Sequence, residues 1–230
     1  MRTIYVRALS IGALTALLAL AGNAAAQTSP SAVLNALEVR KLIASSEPGD
    51  NARLSAHFAA LAERYTGEAK RHTAMAHALV GNRNRSVGSG SSMHCTRLAE
   101  LNTQSAATLR ELAAYHEKLA AGVQSTAPRG GARFEAGAGA PAPSDKYLSD
   151  LAAKANTPAD HRGLEEYFLT TAKQYTADAN EHVAMAQAYR GTKIAQSAAH
   201  CDRLVALARD SVKESNAAAA MHKDLAGTAR

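Results

Sequence analysis

The chain has 230 residues, 47% of them hydrophobic and 20% charged, with a formal net charge of +6. Aromatic residues make up only 4%, there is no tryptophan, and acidic and basic residues are interspersed. A nucleic-acid partner calls for a basic stripe, often with stacking aromatics, so this balance excludes that class.

The first 27 residues read MRTIYVRALSIGALTALLALAGNAAAQ. Two arginines, an apolar leucine-rich run and the small residues Ala24, Ala25 and Ala26 have the form of a secretory signal peptide over 1–26, cut before Gln27. The apolar run is shorter than the roughly 20 residues a membrane-spanning helix needs, and no second run follows. The expectation is a periplasmic or secreted protein of net charge +4, with no transmembrane segment after cleavage and with the cell envelope as the place to look for a partner.

The rest of the chain is an internal repeat. Residues 48–81 match 158–191 at a shift of 110, and residues 94–120 match 200–226 at a shift of 106. Identities fall on 25 of the 61 aligned positions, so the halves are copies of one unit. The change of shift places a four-residue length difference between Gly81 and His94, which predicts a surface loop there containing SVGSGSS. The first repeat spans 27–121 and the second 145–230; the Gly/Ala/Pro-rich stretch over 122–144 reads as a linker.

Each repeat reads as a long helical hairpin. Leu54, Phe58, Leu61, Tyr65, Glu68, His72, Met75 and Leu79 recur at steps of four and three, and Leu164, Phe168, Thr171, Tyr175, Asp178, His182, Met185 and Tyr189 repeat the pattern. Thr157, Pro158 and Asp160 form a helix start, as do Ser46, Glu47 and Pro48, while Gly81 and Gly191 suit helix ends. Short helices are expected over 31–45 and 145–155. The fold class is therefore all-α: two tandem hairpins packed as a pseudo-twofold four-helix bundle, with a short helix before each.

Polar residues on this stripe are the candidate site. Tyr-x-x-Glu/Asp-x-x-x-His-x-x-Met occurs twice, with Glu68 or Asp178 one helical turn before His72 or His182. At that spacing a carboxylate can hold the imidazole. His94-Cys95 and His200-Cys201 open the second helix of each copy. If both hairpin loops lie at one end, His72, Met75, His94, His182, Met185 and His200 converge as soft or borderline metal ligands, with copper favoured or haem iron as the alternative. The competing reading makes the same histidines a polar core network bonded to their carboxylates or to Tyr65 and Tyr175, with methionine filling space. His116 and His222 fall at the far end, and His57, His77 and His161, unmatched between copies, read as surface or boundary residues, with His77 a possible extra ligand beside His72 and Met75.

Cys95 and Cys201 are the only cysteines and hold equivalent places, so an exported chain is expected to join them in a disulfide between hairpins. There is no C-x-x-C-H, no pair of matched Glu-x-x-His motifs, no H-E-x-x-H, no G-x-S-x-G and no phosphate-binding glycine loop. The functional expectation is a non-enzymatic binding or structural module, with metal or haem binding as the alternative.

Overall fold

The computed structural model describes residues 33–45, 47–82, 85–122 and 143–228. The expected signal peptide, Ser46 and all but the ends of the linker lie outside the described residues. The described residues form six helices and no strand: α1 (Ala36–Ser45), α2 (Pro48–Val80), α3 (Arg85–Ala121), α4 (Asp145–Lys154), α5 (Pro158–Arg190) and α6 (Ser197–Thr228). None is long and apolar enough to cross a membrane. The expected all-α class and the two packed hairpins, α2 with α3 and α5 with α6, are what the structure shows.

The starts of the two long hairpins differ. Thr157 accepts from the Asp160 N–H while Asp160 accepts from the Thr157 N–H at 3.0 Å, a reciprocal cap that satisfies two donors at the positive end of α5. Glu47 precedes α2 without a side-chain cap, and Pro48 and Asp50 mark its first turn.

Small residues set the hairpin seams. Ala62, Ala69 and Ala76 are buried at seven-residue intervals on α2, and Ser92, Ala99, Ala106 and Ala113 repeat that spacing on α3. Every second turn thus presents a side chain small enough for the helices to pack closely. On α6 the positions equivalent to Ala99 and Ala106 are Val205 and Val212.

The two hairpins join through α3 and α6, which run antiparallel. Ser91 lies 3.7 Å from the Met221 sulfur, His94 donates to Glu214 at 2.8 Å, and His200 lies 3.6 Å from Glu111. The hairpin loops therefore point to opposite ends, which corrects the shared-end expectation. Glu111, beside His200, is sixteen residues along α3 from Cys95, about 24 Å at 1.5 Å per residue. Cys201 follows His200, so the cysteines lie far beyond the roughly 7 Å between Cα atoms that a disulfide can bridge. Both are free, buried thiols. A twofold axis across the middle of the bundle, rather than along it, carries equivalent residues to opposite ends.

The other side is wider. No Cα of α2 comes within 8 Å of one of α5. Phe58, Tyr65, Phe168 and Tyr175 are buried there, and α1 and α4 each pack on both α2 and α5 to close the gap. Leu34, just before α1, donates its N–H to His57 Nδ1 at 3.0 Å. Asn82 donates to the carbonyls of Ala152 and Ala155 at 3.1 and 3.0 Å, tying the end of α4 to the end of α2.

One local expectation fails: α3 begins at Arg85, so most of SVGSGSS is helix rather than hairpin loop. A Cβ built on Gly90 would meet the Met221 sulfur at 2.8 Å, and Ser91 is fully buried against the same residue. Packing on the last turns of α6 outweighs the weak helix propensity of glycine and serine.

Candidate functional site

The structure disperses the six sequence-selected ligands. His72, Met75, His182 and Met185 are all at most 2% exposed, whereas His94 and His200 are about a quarter to a third exposed and face Glu214 and Glu111 across the α3–α6 seam. Arg64 and Tyr65 of α2 meet Asp178 of α5, and His72 lies 6.2 Å, ring to ring, from Tyr167. These contacts run α2 antiparallel to α5. His182 consequently falls toward His57, which it helps keep uncharged, and not toward His72. Fifteen residues of α2, about 22 Å, separate His57 from His72. Among the described residues no three or more His, Cys, Asp or Glu side chains gather so as to hold a metal ion.

Nor do the neighbouring carboxylates hold the histidines. Asp178 Oδ2 accepts from Arg64 and from the Tyr65 hydroxyl, each at 2.8 Å, across the wide side of the bundle. Glu68 accepts through both oxygens from Arg71 at 2.7 Å, and Arg71 also reaches Asp145 of α4. Tyr175 pairs with the Asn102 side chain at 2.7 and 3.0 Å. The position equivalent to Asn102 is Ala208, which leaves Tyr65 to find Asp178 instead. Both ring nitrogens of His72 and Nδ1 of His182 are buried with no partner. Burial, with a smaller contribution from Arg71, lowers the His72 pKa to about 3; burial lowers that of His182 to about 4, with Asp178 opposing and Arg64 assisting. Both rings are neutral at physiological pH.

His57 and His161, expected at the surface, are 2% and 1% exposed. His57 is the copy-one counterpart of Tyr167; His161 is the counterpart of Asn51. At one end His116 donates through Nδ1 to Asn51 Oδ1 at 2.7 Å, accepts from the Tyr189 hydroxyl at 2.7 Å, and stacks on Phe58. At the other, His222 stacks on Phe168 and its Nδ1 lies 3.3 Å from His161 Nδ1, while its Nε2 is buried without a partner. The matched pairs His116/His222 and Phe58/Phe168 already carried this in the sequence: a histidine repeated opposite a repeated phenylalanine marks core. Burial also pushes both thiols up to about 12, so neither Cys95 nor Cys201 is a thiolate nucleophile in the folded chain.

What the molecule presents to a ligand lies outside the core. Two adjoining depressions of about 780 and 520 Å³ run along the outer face of α2 and α3 and share Thr73, His77 and Thr103. Ala69, Ala76, Ala99 and Ala106 form the floor. The hydroxyls of Thr66, Thr73, Thr96 and Thr103 donate at 2.8–2.9 Å to the carbonyls one turn back in their own helices. With those protons spent, each threonine offers a methyl group and an acceptor oxygen only, and the oxygen of Thr66 already accepts from Arg110 at 2.7 Å. At one mouth stand Val80 and Met93, 71% and 68% exposed. The signal for this groove was present in the sequence: Thr73, Val80, Thr96, Ala99, Thr103 and Ala106 stand where the other copy places valine or charge.

Comparison with known proteins adds no relative. No family model, no curated protein and no solved structure matches the chain. Its chemistry is therefore read from its own residues: neutral buried histidines, protonated buried thiols and an accessible groove of methyl groups with charged rims.

Proposed function

We propose that the protein is an exported, non-enzymatic helical-bundle module that binds a partner of the cell envelope through its surface. One observation carries this reading: both thiols and the histidines of the core face inward and are held neutral by burial, while the roomy apolar surface faces outward along α2 and α3. The leader-like segment over 1–26 supports export to the periplasm or beyond. Catalysis would need a nucleophile, a base and an oxyanion site arranged around an open cleft, and the groove's threonines have already committed their protons.

The test joins compartment to chemistry. Full-length chain expressed with a C-terminal tag should be recovered from the periplasmic fraction with an intact mass that starts at Gln27, carrying neither stoichiometric metal nor a Soret band. Envelope cross-linking should then join the mature chain to a discrete partner. A retained leader in the cytosolic fraction overturns the export half of the reading, and a stoichiometric metal or a Soret band replaces the binding module with metal or haem binding.

A further inference from the structure

We infer that the α2–α3 groove is the docking surface, and that its occupant is an amphipathic α-helix with an apolar face and acidic flanks, supplied by another protein. The inference rests on the binding-module reading above and narrows it to one face and one class of partner.

Shape selects a helix. From Thr66 to Val80 the groove follows fourteen residues of α2, about 21 Å or four turns at 1.5 Å per residue, parallel to two closely packed helices. A straight apolar channel between two helices receives a third by seating its side-chain ridge between theirs. The alanine floor allows close approach, and the threonine methyl groups ask for no hydrogen bond in return.

Charge selects acidic flanks. The lining carries Lys70, Arg97 and Arg110 against the single carboxylate Glu100. Lys70 makes no ion pair among the described residues, Arg97 holds Glu100 at 3.1 Å on the surface, and Arg110, 52% exposed, donates to Thr66 at 2.7 Å and to Glu63 at 3.2 Å. An exposed pair of that kind is weak and readily exchanged for an incoming carboxylate. Complementary flanks would therefore orient the helix and speed its encounter.

The second copy serves as an internal control. There Ala99 and Ala106 are replaced by Val205 and Val212, which thicken the floor. The counterparts of Val80 and Thr96 are Arg190 and Asp202, joined at 2.7 Å through both carboxylate oxygens. The second seam thus carries an ion pair and two valines where the first carries Val80, Thr96 and two alanines. Lys70 and Arg110 also become Asn180 and Asn216, while Arg97 is kept as Arg203 and Thr103 becomes Arg209, so the cations stand at different places on the two seams.

The experiment uses the mature full chain and a labelled synthetic helix of fifteen residues, Leu and Ala on one face and Glu on the flanks, read by fluorescence anisotropy. The control peptide carries Lys in place of every Glu. The acidic peptide should bind at least tenfold more tightly than the basic one, and Lys70→Glu should erase most of that preference. The double variant Val80→Arg/Thr96→Asp installs the ion pair of the second copy at two exposed positions; it should weaken the acidic peptide tenfold or more while the melting temperature holds. Equal binding of both peptides, no binding of either, or unchanged binding to the double variant overturns the inference. So does concentration-dependent dimerisation that the double variant abolishes, since a second copy would then fill the groove. An envelope partner that still cross-links to the double variant leaves the binding module standing and removes only the groove.

Discussion

Two hairpins built from one repeat face the solvent differently, and the difference shows which positions packing fixes. Many inward positions are kept: Phe58 and Phe168, Tyr65 and Tyr175, His72 and His182, Met75 and Met185 match, and all eight are buried. Outward positions drift, and on α2–α3 they leave a methyl-lined groove where α5–α6 carries valines and the Arg190–Asp202 pair. Repetition in this chain therefore records the demands of the core. The part most able to meet another molecule lies where the copies disagree, whereas the inward histidines that first suggested a site are held neutral by burial.

The largest effect that would test this division is acid unfolding. Burial lowers the pKa of His57, His116, His182 and His222 to about 4 and that of His72 to about 3, against an ordinary value of 6.5. Between about pH 6.5 and pH 4 the unfolded chain binds protons at these rings that the folded chain refuses. The stability they contribute is complete above pH 6.5 and is lost as pH falls through that window. Each histidine adds up to about 1.4 kcal/mol per pH unit, so five together impose a steep slope near pH 5. Chemical denaturation followed by circular dichroism from pH 7 to pH 4.5 measures it. His72→Leu should flatten the slope by about one proton and leave stability at pH 7 equal or higher, because neither ring nitrogen has a partner to lose. A flat profile would place these rings in solvent and end the core assignment.

Next in size is the contrast between the two carboxylates. Asp178 is 6% exposed and receives both Arg64 and the Tyr65 hydroxyl, so Asp178→Ala strands a buried phenol and a half-buried guanidinium. A loss of about 2–4 kcal/mol is expected, reduced from the fully buried case because Arg64 can turn to water. Glu68 lies nearer the surface, and without it Arg71 keeps Asp145, so Glu68→Ala should cost less than about 1 kcal/mol. Equal costs in urea unfolding would show that the two copies share one electrostatic environment.

The two histidine ends sharpen the comparison further. His116→Leu leaves Asn51 and Tyr189 without their 2.7 Å contacts and should cost about 2–3 kcal/mol. His222→Leu removes one 3.3 Å contact and a ring nitrogen that had no partner, so a cost of about 1 kcal/mol or less is expected. Thermal melts at pH 7.5 compare the two, and a larger loss for His222 would reverse the assignment of the well-satisfied end.

The all-α class, the hairpins and the stripe residues were legible because a period of 3.6 is imposed by burial on one face of each helix. The sense of α3 against α6 was not. An equivalent place for Cys95 and Cys201 is compatible with a twofold axis along the bundle or across it, and only contacts such as His94 with Glu214 decide between them. That single ambiguity carried the expected disulfide and the expected gathering of His72, His94, His182 and His200. His57 and His161 were misread for a related reason. Comparing copies finds core positions that stay the same, and these two are core positions that changed partner, with Tyr167 and Asn51 as their counterparts.

The smallest expected effect is also the most direct check on that axis. A bond between Cys95 and Cys201 would close a loop of roughly a hundred residues and add about 4–5 kcal/mol by chain entropy, so its reduction would lower the melting temperature by several degrees. With the thiols at opposite ends of the α3–α6 seam, protein isolated from an oxidising compartment should melt at the same temperature with and without dithiothreitol. Thiol reagents should count two free groups in denaturant and almost none in native buffer, because both side chains are 0% exposed and burial holds them protonated. A melting temperature that falls on reduction, or a Cys95–Cys201 peptide pair seen in a non-reducing digest and separated by dithiothreitol, would require α3 and α6 to run parallel. Every pairing across that seam, His94 with Glu214 and His200 with Glu111 included, would then have to be rebuilt.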